Sequence, residues 1–205
     1  MDGQEYLNQI SATNRPEKSS KFSKILTSKY FLIGAIAVVA LILIMVVGAA
    51  LSSGKSNEKE DGYALLLHLN NTGELVNTYQ SDVKSSELRA SSASLGGVLS
   101  ETSKQLDEYL TAKYNIKEKD IKKDIVDEAN LQKDGLNSEL FEAKINGILD
   151  RVFAHKMAYE IALISTEESK LIKTTKNDNL RDILTTSYDS LDNLYSKFND
   201  FSETK

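Results

Sequence analysis

Two histidines, His68 and His155, are the side chains in this chain best suited to proton transfer or metal ligation near neutral pH. His155 has a carboxylate five residues to either side, Asp150 and Glu160. At about 100° per helical residue, five residues leave each side chain roughly 140° off the previous face, so the three do not converge from one helix. A dinuclear metal site in a helical bundle draws on Glu-x-x-His pairs, which set both ligands on one face. Leu65 stands three residues before His68 and Val152 three before His155, so neither pair exists. His155 is still the one metal candidate, because it falls on an apolar helical stripe. The competing expectation is a core histidine hydrogen-bonded to a tyrosine or carboxylate. His68 is expected on a helix flank, with a solvating or packing role. The chain has no cysteine, which excludes thiolate metal sites, cysteine nucleophiles and disulfides. It also lacks a phosphate-binding glycine loop, a nucleophile elbow and a His-Glu-x-x-His motif. No catalytic residue and no cofactor is expected.

A second oddity is the small-residue run Arg89 to Ser100, RASSASLGGVLS. Gly96 and Gly97 each cost a helix about 1 kcal/mol relative to alanine. Close approach of a neighbouring helix is the expected offset. The alternative is a ligand pocket beside Gly96 and Gly97.

Four amphipathic stretches must position these residues. Leu65, Leu69, Thr72, Val76 and Tyr79 recur at steps of three and four. Leu88, Ser92, Leu95, Leu99, Thr102, Leu106 and Tyr109 keep the same beat, as do Phe141, Ile145, Ile148, Val152, His155, Tyr159 and Ala162. Leu180, Leu184, Ser187, Leu191, Leu194, Phe198 and Phe201 form the fourth. Such spacing keeps side chains on one helical face, and that face needs partner helices to bury it. Ser138 and Asp178 stand where N-caps of the third and fourth helices are expected. The connection at Ser81 to Ser85 is short. The stretch Asn115 to Asn137 is longer and carries Ile116, Ile121, Ile125 and Val126, which predicts a short crossing helix. The fold expected is all-α: an antiparallel four-helix bundle with a longer crossover between helices two and three, following one transmembrane helix.

That transmembrane helix rests on an uncharged run from Tyr30 to Gly54, in which thirteen of the seventeen positions from Phe31 to Val47 are Ile, Leu, Val, Phe or Met. About 20 helical residues at 1.5 Å each cover the roughly 30 Å hydrocarbon layer of a bilayer. Within twenty residues of the run, Arg15, Lys18, Lys21, Lys24 and Lys29 precede it and only Lys55 and Lys59 follow. The excess places the N-terminus in the cytoplasm and the remainder outside the cell membrane. The apolar run is too long for the core of a cleaved signal peptide, so an uncleaved signal-anchor is expected. The domains expected are residues 1–29, a cytoplasmic tail with a basic amphipathic lead; 30–52, the membrane helix; 53–61, a flexible stalk; and 62–205, the bundle. Of 25 Lys/Arg and 30 Asp/Glu, six and three lie in residues 1–55, which leaves residues 56–205 with a net charge of −8. An acidic module of that kind repels nucleic acid phosphates.

The arrangement resembles the ferritin-like bundles of unknown function found in bacterial single-span envelope proteins. The resembling part runs from about Tyr63 to Phe201 and includes YLTAKYNI (Tyr109 to Ile116) closing the second helix and FEAKINGILDRVFAH (Phe141 to His155) in the third. The resemblance implies a fold and transfers no functional residue. In such domains histidines often occur in more than one long helix, whereas here the second and fourth have none.

The function expected is a membrane-anchored extracytoplasmic module with an interaction or structural role in the cell envelope. Its partners would be the lipid bilayer and another envelope protein. A ferritin-like metal-binding or redox protein is the alternative. A third reading is a sensor that relies on a separate cytoplasmic partner.

Overall fold

Apolar residues at steps of three and four produce long helices, and in the computed structural model these are the regular elements of every described segment. It describes residues 57–115 and 121–204, all within one compact unit, Lys55–Lys205. The helices are α1 (Glu58–Tyr79), α2 (Ser86–Tyr114), α3 (Lys123–Ile145), α4 (Leu149–Thr174) and α5 (Asp178–Thr204). The expected membrane helix, its basic lead and most of the stalk lie outside the described residues. Among the described residues, no helix is long and apolar enough to cross a membrane.

Polar contacts fix the direction of each helix. Lys170 Nζ donates to Asp61 at 2.9 Å and Thr175 Oγ1 donates to Glu58 at 3.0 Å, so the end of α4 lies beside the start of α1. At the other end, Lys144 Nζ donates to Asp82 at 2.6 Å, and Asp150 accepts the backbone N–H of Lys84 and of Ser85 at 2.9 and 2.8 Å. Successive helices therefore alternate in direction. The extensive packings are α4 on α5, α1 on α2 and α2 on α5; α1 also lies against α3 and, slightly less, against α4, while α3 touches α4 more lightly. The shared core is filled by leucines together with Phe153, Met157, Ile161, Ile164 and Phe198. Phe153 and Phe198 meet as a tilted pair with centroids 6.3 Å apart.

Three of the four predicted stripes are buried throughout: those of α1, α2 and α5. The third is not. Its residues divide between two helices and the turn joining them, because α3 ends at Ile145, Asn146 is its C-cap and Gly147 adopts φ +72°. Ile148 N–H bonds back to Ala143 O at 3.0 Å, the six-to-one closure that a left-handed glycine makes possible. Phe141 and Ile145 stay on α3 and are exposed, Tyr159 is exposed on α4, and so is His155. The buried face of α4 is instead Leu149, Phe153, Met157, Ile161, Ile164, Glu168 and Leu171, also spaced by threes and fours.

Other boundaries differ as well. The crossing segment is a 23-residue helix, not a short one, and Ser138 lies inside it, not at a cap. Helix α1 begins at Glu58, so the last residues assigned to the stalk are helical. Asn177, not Asp178, caps α5: its side chain accepts Leu180 N–H at 3.0 Å. Ser85 caps α2 in the same manner, accepting Leu88 N–H at 3.3 Å.

Candidate functional site

His68 sits on the face of α1 turned toward α4. On α4, Glu160 and Glu167 lie two turns apart and so share one face. His68 Nε2 donates to Glu160 Oε2 at 2.8 Å, and Nδ1 donates to Glu167 Oε1 at 3.1 Å. The imidazole is largely buried, with 11% of its side chain exposed. Burial alone would favour the neutral ring, but the two carboxylate hydrogen bonds and their charges outweigh it and raise the His68 pKa to about 10. At neutral pH His68 is therefore a cation with both N–H groups engaged. An imidazolium in that state has no lone pair for a metal or for general base catalysis. A cavity of about 180 Å³ opens beside it, between α1, α3 and α4, with Ala64, Leu75, Glu128 and Lys133 among its walls.

The expected metal candidate is elsewhere. His155 is exposed on α4. Its two sequence neighbours serve other partners: Asp150 accepts the backbone N–H groups of Lys84 and Ser85 just before α2, and Glu160 binds His68. Among the described residues, no group of three or more His, Cys, Asp or Glu side chains is arranged to hold a metal ion.

Glu168, one residue past Glu167, points the other way, into the core. It is fully buried, and neither carboxylate oxygen has a hydrogen-bond partner; the Ser187 hydroxyl on α5 is also buried and unsatisfied. Loss of hydration raises the Glu168 pKa to about 8. The nearby Ser187 hydroxyl works against the rise and the Glu167 charge adds to it. Glu168 is thus a neutral acid at pH 7. Sequence reasoning passed over it, although a visible signal was there: an acid at the position where the ladder Ile161, Ile164, Leu171 requires an apolar residue.

A third cluster closes the end of the unit where α1 begins. Glu58 accepts from Tyr109 at 2.8 Å, Lys113 at 2.5 Å, Tyr114 at 3.0 Å and Thr175 at 3.0 Å. Burial would raise its pKa, yet these four donors hold it down at about 2. The Lys113 ammonium lies 5.3 Å from the centroids of both tyrosine rings, which adds a cation–π component.

Gly96 and Gly97 take different roles. A Cβ at Gly96 would come within 3.3 Å of Asn77 Oδ1, so α1 and α2 approach closely there, while Gly97 faces open space. An open groove of about 450 Å³, bordered by Gly73, Asn77, Gly96 and Ser100, runs beside Gly96 and not Gly97.

Comparison with known protein families, with curated proteins and with solved structures finds no match to this chain.

Proposed function

We propose that this protein is a membrane-tethered interaction module of the cell envelope, whose helical bundle docks an apolar surface of a second envelope protein. The observation that carries this reading is the exposure of Phe141 (55%), Ile145 (69%) and Ile148 (43%) around the turn joining α3 to α4. Scattered surface apolar residues need no explanation, but three large ones within eight residues, Phe141 and Ile145 one helical turn apart, form a face that favours a partner. The Lys144–Asp82 pair and the Asp150 contacts to α2 hold this corner at the end of the bundle opposite residue 57, where the chain enters. The uncharged run at residues 30–52 and the basic excess before it support the tether and its orientation.

The test is site-specific photocrosslinking in intact cells. A photoreactive residue at Ile145 is expected to give one discrete protein adduct, while the same residue at Tyr195, an exposed aromatic on α5, gives none. An adduct of twice the chain mass would identify a second copy as the occupant and replace this reading. No adduct, or the same adducts from both sites, would end it. Carbonate washing of vesicles tests the tether separately: release of the protein removes the membrane assignment.

A ferritin-like architecture is the second reading. It is supported by the connectivity: two antiparallel pairs, α1–α2 and α4–α5, joined by a crossover helix. The metal or redox activity that this resemblance would suggest draws little support from His68, engaged on both nitrogens, or from exposed His155. Metal analysis of the purified protein separates the two. Stoichiometric iron or manganese lost in Glu160→Gln would favour the metalloprotein.

A further inference from the structure

At the cavity beside His68, two carboxylates share one counter-charge. Glu160 and Glu167 both bind the ring, so the trio carries −1 with the imidazole protonated and −2 with it neutral. Glu160 uses only Oε2 in that contact. Its Oε1 has no hydrogen-bond partner among the described residues, on a side chain 15% exposed. Glu128, on α3, adds a third carboxylate to the wall, and Lys133, the other basic side chain there, is already paired with Glu74. A concave site with an excess of one sign of charge concentrates counter-ions. A second observation lies on α1. Thr72 stands one turn past His68 and borders the same cavity. It is 2% exposed, yet its hydroxyl makes no hydrogen bond among the described residues. Nor is it one of the fully enclosed unpaired atoms, which belong to Glu168 and Ser187, so the hydroxyl opens on the cavity. A buried hydroxyl without a partner is costly, and a ligand donor removes that cost. Ala64, Leu75, Ile125 and Leu136 supply apolar wall. A void of about 150 Å³ holds a molecule the size of benzene, so about 180 Å³ admits a body of roughly four to six carbons.

We propose that this cavity binds a small primary alkylammonium ion, with the ammonium held by Glu160 Oε1 and the Thr72 hydroxyl and the short alkyl chain against Leu75, Ile125 and Leu136. An ammonium has three N–H donors and no acceptor, which matches a free carboxylate oxygen and a free hydroxyl oxygen. A divalent metal fits less well. Both His68 nitrogens are engaged, and no three ligating side chains converge among the described residues. An anion would meet three carboxylates, and a neutral ligand would leave the excess charge uncompensated. His68 is the positioning residue: it holds the two glutamates together and cancels one of their charges, so a single ammonium completes the balance. The site lies apart from the corner formed by Phe141, Ile145 and Ile148, and its failure would leave the docking reading intact.

The probe is n-butylammonium, titrated into the full-length protein in a nonionic detergent and followed through the methyl NMR signals of Leu75 and Ile125. These signals are expected to move saturably at millimolar concentration, the range open to so small a ligand. Binding should be at least about tenfold tighter than that of 1-butanol, which has the same chain and no charge. Glu160→Gln should weaken butylammonium at least about tenfold. That variant also removes a partner of His68, so Ala64→Leu is the second: it fills the cavity, leaves every charge in place and should abolish the shifts. Equal affinity for 1-butanol, or shifts that sodium chloride reproduces at the same ionic strength, would overturn the proposal. So would unchanged binding in Ala64→Leu, or no saturable shift with butylammonium at all. A blocked lysine peptide separates the two sources of an alkylammonium group. Tighter binding of that peptide than of butylammonium would overturn the assignment to a free molecule and place a partner's lysine side chain in the cavity.

Discussion

His68 Nε2 lies 2.8 Å from Glu160 Oε2 and joins α1 to α4 across 92 residues of chain. Glu167 completes the link from the next turns of α4. The folded pKa of His68, about 10, stands above its ordinary value of 6.5. A raised base contributes stability that is fully present below pH 6.5 and is lost as pH climbs toward 10. Replacing His68 with alanine should therefore cost a few kcal/mol at pH 6, since it also strands two carboxylates side by side. The loss should shrink toward zero above pH 10. Thermal melts of the full-length protein in detergent across that range check both the size and the convergence.

Glu168 carries the opposite expectation. Its pKa is raised from 4.5 to about 8, so the unfolded chain ionises first and folding loses stability as pH rises from 4.5 to 8. Glu168→Leu removes an unsatisfied buried acid and preserves apolar volume. It should stabilise the fold by about 2–4 kcal/mol at pH 8 and by much less at pH 4. Denaturant midpoints at the two pH values test this. A destabilising Glu168→Leu at pH 8 would show that the carboxyl has a partner which geometry alone does not reveal.

Glu58 governs the acid side. Its pKa falls from 4.5 to about 2, so its contribution is present above pH 4.5 and disappears as pH drops toward 2. Glu58→Gln should cost about 2–3 kcal/mol at pH 6 and almost nothing at pH 2, because the shift is worth at most about 3 kcal/mol. Taken with His68 and Glu168, this places maximal stability near pH 5, which a pH series of melting temperatures measures directly.

The turn at Gly147 and the face of α4 give a mutational contrast. Phe153→Ala, at a fully buried position, should cost about 3–5 kcal/mol. His155→Ala and Phe141→Ala, both exposed, should each stay within about 0.5 kcal/mol. Gly147→Ala forces a side chain into φ +72° and should cost about 1 kcal/mol. Equilibrium unfolding of the four variants tests the assignment. A costly His155→Ala would return that residue to the core.

Spacing by threes and fours marked, without further help, long helices over residues 65–79, 88–109 and 180–201, and it named the buried faces of α1, α2 and α5 correctly. It could do so because helix burial is a local periodicity: one face recurs every turn whichever partner covers it. The uncharged run at residues 30–52 is likewise a property of composition, independent of the bundle. Residues 141–171 carry two interleaved ladders, one through Ile148 and His155 and one through Phe153 and Met157. Periodicity cannot choose between them. The choice was made by the left-handed turn at Gly147, which splits the first ladder, and by Phe198 on α5, which packs on Phe153. The same holds for the polar groups. That His68 would meet Glu160 and Glu167 depends on how α1 lies against α4, and no local rule reaches across that much chain. Only three-dimensional packing decided that His68 would be a buried cation, Glu168 a buried acid and His155 a surface residue.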